Sequence, residues 1–185
     1  MNEALVDAQA AAAEGQQLFF QAEYDQAVEQ FSLAHRLYVQ AGDDAKAAEM
    51  LNNLGVLHRQ MHEHEKATKN LEEAQEIFAQ LGDQARQAQA LGNLGGLYSQ
   101  MQHYDQSQAC FEKALEVFFE LDDRPKQSET LRAMAIMQFK RGQRSKALST
   151  YEEALYFLPD RNLLQNVLHL LLRFRGAVLR FSPFR

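Results

Sequence analysis

His58 and His62 are four residues apart, and of the spacings in this chain theirs is the best suited to binding a metal ion. At that spacing two imidazoles share one face of a helix, and His64 follows closely. The pair spans the predicted end of a helix, however, and the spacing fixes no third ligand. We therefore predict no metal site, with His58 packed in the interior and His62 and His64 in solvent.

Cys110 is the single cysteine, and it would act as a nucleophile only with a lowered pKa. Lys113, the one basic residue near it in sequence, is a weak basis for such a shift. The sequence also has no glycine-rich phosphate loop and no serine nucleophile elbow. We therefore predict a non-catalytic protein without a cofactor. One cysteine excludes an internal disulfide and suits a reducing compartment, so we expect a cytoplasmic protein.

The elements that position these side chains repeat every 40 residues. A period of this size indicates an array of similar units, none of which buries its apolar face alone. Glycines in one column are predicted where two helices cross, opposite a column of large residues. The glycine column is Gly15, Gly55, Gly95 and Ala135, the large column is Phe31, Leu71, Phe111 and Tyr151, and a small column is Ala27, Ala67, Ser107 and Ala147.

Each repeat predicts two antiparallel helices, because apolar residues recur at helical spacing in both halves. In the second repeat the first helix is predicted from about Asp44 to Met61, followed by a short break at 62–64. Between repeats, as at Gly82 and Asp83, a glycine ends one helix and an aspartate caps the next.

Charge is unevenly distributed along the 185 residues, whose formal net charge is −6. Residues 161–185 hold five arginines and no acidic residue, so the first 160 residues are strongly acidic. An acidic body is a poor nucleic-acid binder, and we expect no nucleic-acid partner. No secretory signal is recognisable at the N-terminus, and no apolar run approaches the roughly 20 residues that span a bilayer.

The third repeat has a Leu-Gly pair, an aromatic, a small residue, an aromatic and an alanine at Leu94, Gly95, Tyr98, Ser107, Phe111 and Ala114. This pattern resembles the tetratricopeptide repeat, in the longer variety of kinesin light chains, Pins-type polarity scaffolds and bacterial regulators. The resemblance implies an all-α, right-handed superhelical solenoid of four helix pairs. It places the repeats at about 4–43, 44–83, 84–123 and 124–160, within a domain of residues 1–160.

In such a solenoid the first helices line a concave groove, and the resemblance implies a scaffold that holds a peptide or helix of another protein there. Asn53 and Asn93 share one repeat position, and an amide offers a donor and an acceptor to a peptide backbone. Two alternatives are that these asparagines tie adjacent helices together or face water. The predicted groove residues are Asn52, Asn53, Val56, Arg59, Asn93, Gln100, Arg132, Ile136 and Lys140.

Three of these groove residues, Arg59, Arg132 and Lys140, are predicted to select acidic side chains on the partner. A carboxylate clamp as in chaperone-tail receptors is not expected, because the first and third repeats have no basic residue at the required inward positions.

Residues 161–185 are predicted to form a capping helix followed by a basic tail that contains Phe181 and Phe184. Two alternatives are a homodimer and a peripheral contact with an anionic membrane. The competing function is therefore a homo-oligomeric structural module assembled through this helix. Its predicted self-association residues are Leu164, Val167, Leu168, Leu171, Leu172 and Phe174.

Overall fold

The computed structural model describes residues 3–157, and this part of the chain forms eight helices and no strand. The predicted all-α solenoid of helix pairs is confirmed. The predicted capping helix, the basic tail and the self-association residues lie outside the described residues. The helices are α1 (Glu3–Phe20), α2 (Tyr24–Ala41), α3 (Asp44–Gln60), α4 (His64–Gln80), α5 (Gln84–Gln100), α6 (Tyr104–Glu120), α7 (Arg124–Lys140) and α8 (Arg144–Tyr156).

The breaks between helix pairs form as the glycines and aspartates predict. Gly42 and Gly82 follow α2 and α4 in the left-handed conformation, with φ of 72° and 68°. The side chains of Asp43, Asp83 and Asp123 then each accept a hydrogen bond of 3.0 Å from the backbone N–H three residues later. These bonds satisfy one of the free donors at the start of each first helix and fix where that helix begins.

Within a pair, the two helices cross at the glycine column, as predicted. A methyl group on Gly55 would stand 2.5 Å from the Cγ atom of Leu71, and one on Gly95 would stand 2.8 Å from the Phe111 ring. Leu71 and Phe111 are both buried, so the glycines admit the large residues that fill each crossing. One boundary differs from the expectation, because α3 ends at Gln60 and α4 begins at His64, so the break lies one residue earlier than predicted.

The first helices of successive pairs form one layer of the solenoid. Helix α3 contacts α5 and α5 contacts α7, whereas within residues 3–157 no comparable contact joins α4 to α6 or α6 to α8. The first helices therefore lie on the inner, concave side and the second helices on the outer side. This arrangement determines which side chains can meet a ligand in the groove.

Candidate functional site

Two cavities lie on the concave side of the solenoid. The larger of these two lies between α1, α3 and α5 and has a volume of about 450 Å³. Four of the predicted groove residues line it, three on α3 and one on α5. The small side chains of Ala12 and Ala13 leave room on the α1 side, where Phe19 and Phe20 add an aromatic wall. The four groove residues are Asn52, Asn53, Val56 and Asn93.

The two asparagines that share a repeat position are used differently. Asn93 donates a hydrogen bond from Nδ2 to Oδ1 of the buried Asn52, 2.9 Å away, and so ties α5 to α3. The Asn53 side chain has no hydrogen-bond partner among residues 3–157. Asn53 therefore keeps a full amide for a ligand, and Asn93 keeps its oxygen and one N–H. The sequence left open whether these asparagines bind a ligand, tie adjacent helices together or face water. Asn93 does tie two adjacent helices together.

A second, smaller cavity of about 190 Å³ continues the concave surface between α3, α5 and α7. Arg59 and Gly96 line it, and it shares Gln89 and Asn93 with the first cavity. The Arg59 guanidinium lies over Gly96, where an added methyl group would collide with its Nη1 atom. Burial lowers the pKa of Arg59 below its ordinary value. Arg59 forms no ion pair with any carboxylate in the described part of the chain.

Gln100 connects two repeats at the edge of the groove. Its Nε2 atom donates to the Arg59 carbonyl at 3.3 Å and lies 2.9 Å from Nδ1 of His62. Gln100 lines neither cavity. Its side chain holds the end of α3 against α5, and thereby fixes the backbone that carries Arg59.

The remaining predicted groove residues, Arg132, Ile136 and Lys140, are exposed on α7 and line neither cavity. At the matching positions of the second repeat, Asn52 and Val56 are covered because α5 packs beside α3. No helix within residues 3–157 covers α7 in the same way.

Sequence reasoning missed the α7 residues that do line the smaller cavity. They could have been found from the 40-residue register, since Ala133 stands in the column of Asn53 and Asn93, and Glu129 in the column of Glu49 and Gln89. The α7 lining residues are Lys126, Glu129, Thr130 and Ala133.

His58, His62 and His64 differ in their surroundings. Nδ1 of the buried His58 lies 2.7 Å from Oε2 of Glu63, and His62 is exposed, as predicted. His64 differs from the prediction, because it is partly buried, and its Nδ1 atom has no hydrogen-bond partner within residues 3–157. Among the residues that the structure describes, no three His, Cys, Asp or Glu side chains are grouped to hold a metal ion.

The Cys110 thiol is partly buried, and this burial raises its pKa despite the opposing charge of Lys113. A raised pKa keeps the thiol protonated near neutral pH and lowers its nucleophilicity. None of the helices described between residues 3 and 157 has the length and apolar character to cross a bilayer.

A family model described as tetratricopeptide repeat matches residues 8–80 and 86–158. None of the curated proteins matches the chain. Among solved structures, BtubC (BKLC) from P. vanneervenii superposes with a TM-score of 0.72 at 23% identity, over 96% of this chain and 66% of that one. Aspartyl phosphate phosphatase F from Bacillus subtilis superposes with a TM-score of 0.77 at 16% identity, over 96% of this chain and 48% of that one.

These two superpositions show that the chain shares its fold with the two proteins, and nothing beyond the fold. The chain spans slightly less than two thirds of the first of these proteins and about half of the second.

Proposed function

The chain belongs to the tetratricopeptide repeat family, and from this premise we propose that it is a non-catalytic scaffold that binds a peptide segment of another protein. The segment lies in the concave groove of α1, α3, α5 and α7. Its affinity comes from backbone hydrogen bonds and from burial of apolar side chains.

The observation that carries the proposal is the pair of asparagine amides facing the larger cavity. Asn53 has no partner among the described residues, and Asn93 has spare donor and acceptor capacity. They lie on neighbouring inner helices at the same repeat position, so an extended chain that crosses both helices meets both amides. The backbone of a peptide of any sequence can form hydrogen bonds with these two side chains. Such bonds contribute affinity for peptides in general and do not select a particular sequence.

The shape of the groove supports a long ligand rather than a compact one. The two cavities share Gln89 and Asn93, so a ligand can run from α1 past α5 to α7. Phe20 is 76% exposed at the end of α1 and offers an apolar surface for a side chain of the ligand. A peptide of several residues occupies such a path, whereas a small molecule fills only one part of it.

A library of random 12-residue peptides, acetylated and amidated at their ends, tests the proposal. The double variant Asn53→Ala, Asn93→Ala is expected to bind the strongest selected peptide at least about tenfold more weakly than the wild type, which is about 1.4 kcal/mol. Asn70→Ala is the matched control, because Asn70 lies on the outer helix α4. Circular dichroism melting checks that the variants fold. Equal affinity of the wild type and the double variant would refute the amide contacts.

A further inference from the structure

We propose that Arg59 anchors one aspartate or glutamate side chain of the bound peptide. The inference rests on the proposed function and specifies the partner: a segment with an acidic residue that enters the smaller cavity. Arg59 suits this role through its burial, its position against Gly96 and the charges around it.

The first step is that Arg59 is partly buried without a carboxylate. Removing a guanidinium from water is costly unless an acid or several hydrogen-bond acceptors compensate. Two other partly buried arginines do have acids beside them: Arg86 pairs with Asp83 at 2.5 Å, and Arg141 with Asp105 at 2.7 Å. Arg59 has no such partner among the described residues, and a ligand carboxylate supplies it.

The second step is that the Arg59 guanidinium already lines the smaller cavity before any ligand arrives. It lies against the backbone of Gly96, where any side chain would displace it. The backbone that carries it is tied to α5, because the Arg59 carbonyl accepts a hydrogen bond from Gln100. A planar guanidinium at this position can meet a carboxylate in bidentate geometry.

The third step is that the charge of the cavity matches a monoanion. Lys126 and Glu129 line the cavity and neutralise each other at 2.9 Å, so Arg59 leaves a net charge of one. Asn93 adds a free amide N–H at the junction of the two cavities.

The fourth step assigns the carboxylate to a side chain rather than to a peptide C-terminus. The smaller cavity lies between α3, α5 and α7, and the groove continues from it towards α1 through the larger cavity. On the other side, α7 presents exposed residues such as Arg132 and Ile136. A chain can therefore pass through the cavity in both directions, which an internal acidic residue allows.

The test compares peptide selection by the wild type, Arg59→Gln and Arg36→Gln, using the same amidated library and a second library with free C-termini. Arg36 is the matched control, because it is an exposed arginine on the outer helix α2, away from both cavities. The wild type and Arg36→Gln are expected to enrich an acidic residue at one internal position, and Arg59→Gln is expected to lose this enrichment. The selected peptide is expected to bind Arg59→Gln about tenfold more weakly, whereas its Glu→Gln or Asp→Asn analogue binds both proteins equally.

Gly96→Ala provides a second route to the same result, because it keeps the charge and displaces the guanidinium. It is expected to weaken the acidic peptide and not its neutral analogue. Selection that depends on Asn53 and Asn93 but shows no acid preference would overturn the anchor and leave the groove proposal standing. Acid preference retained by Arg59→Gln, or found only for free C-termini, would also overturn the anchor. If the wild type selects no peptide, the proposed function and the anchor both fail.

Discussion

At the scale of the residue, Gln138 is the least favourable side chain of the described core. It occupies the column that holds His58 and Tyr98 in the two preceding repeats, where these residues bond to Glu63 and Glu72. Gln138 is fully buried, and neither atom of its amide has a hydrogen-bond partner in the part of the chain that the structure describes. A buried amide without partners costs about 1–3 kcal/mol, so this position reduces the stability of the fourth repeat.

Gln138→Met is therefore expected to raise the free energy of unfolding by about 1–2 kcal/mol, because it keeps the shape and removes the unpaired amide. Gln127→Met is the matched control, since the Gln127 amide already donates to the Phe118 carbonyl at 2.8 Å. The free energy of unfolding of Gln127→Met is expected to be about 1 kcal/mol lower than that of Gln138→Met, because Gln127→Met loses a hydrogen bond. Urea unfolding measures both, and a Gln138→Met protein less stable than the wild type would contradict the reasoning.

Asp83 makes the stability of the chain depend on acid pH. The backbone N–H of Arg86, and then its guanidinium, lower the pKa of the Asp83 carboxyl below its ordinary value. Since the folded state favours the carboxylate, this stabilisation is complete above the unfolded pKa of about 3.9 and is lost as the pH falls through the lowered folded value. Asp83→Asn keeps a capping group and removes this titration. Its free energy of unfolding is expected to fall less steeply below pH 4 than that of the wild type.

The control for the pH series is Asp44→Asn. Asp44 is exposed in the first turn of α3, and its carboxylate has no hydrogen-bond partner among residues 3–157. An Asp83→Asn profile that follows the wild type as closely as the Asp44→Asn profile does would show that the cap does not carry the pH dependence.

Individual residues also show how far sequence reasoning reaches. The repeat register located Asn53 and Asn93 on inner helices, because position within a repeat fixes the helix face. It did not find the bond between Asn93 and Asn52, because that bond depends on the distance between α3 and α5. Sequence also could not predict that Arg132 and Ile136 line neither cavity, since this depends on what packs beside α7. The sequence pattern within a repeat therefore predicted which face of a helix each residue occupies. The contacts between neighbouring repeats could be identified only from the structure.

At the scale of the element, the glycines of the first helices lie in two different surroundings. Gly55 lies under Leu71 at a helix crossing, whereas a methyl group on Gly92 of α5 would meet nothing within 4 Å. A glycine in a helix interior costs about 1 kcal/mol relative to alanine, so only the crossing justifies it on packing grounds. Helix boundaries were the most predictable feature of these elements, because Gly82 and Asp83 end and begin helices through their own backbone and side-chain chemistry.

Gly55→Ala and Gly92→Ala are expected to change stability in opposite directions. Overpacking against Leu71 costs about 1–3 kcal/mol and outweighs the gain in helix propensity, so Gly55→Ala lowers the free energy of unfolding. Gly92→Ala is expected to raise it by up to about 1 kcal/mol. Chemical denaturation of the two variants in parallel checks this, and a shift of the same sign in both would contradict the crossing argument.

At the scale of the whole molecule, the described chain is a linear array in which each helix packs mainly on its neighbours in sequence. The stability of such an array is approximately the sum of repeat and interface terms, so damage in one repeat remains local when that repeat is terminal. The resemblance to a repeat family predicted this architecture. The identity of the groove partner is not encoded in it, because the packing columns are separate from the groove positions that meet a ligand.

Phe31 and Phe111 occupy the same column in the first and third repeats, and both are buried against a glycine of the partner helix. Replacing either with alanine is expected to cost about 3–5 kcal/mol locally. In Phe31→Ala, hydrogen exchange is expected to accelerate in α1 and α2, while α5 to α8 keep their protection, because among the described helices the first repeat packs on the second repeat alone. In Phe111→Ala, protection is expected to fall across α5 and α6 and in the helices packed on both sides of them. Mass spectrometry of deuterium uptake distinguishes these patterns, and a uniform loss of protection in Phe31→Ala would show that the solenoid unfolds as one cooperative unit.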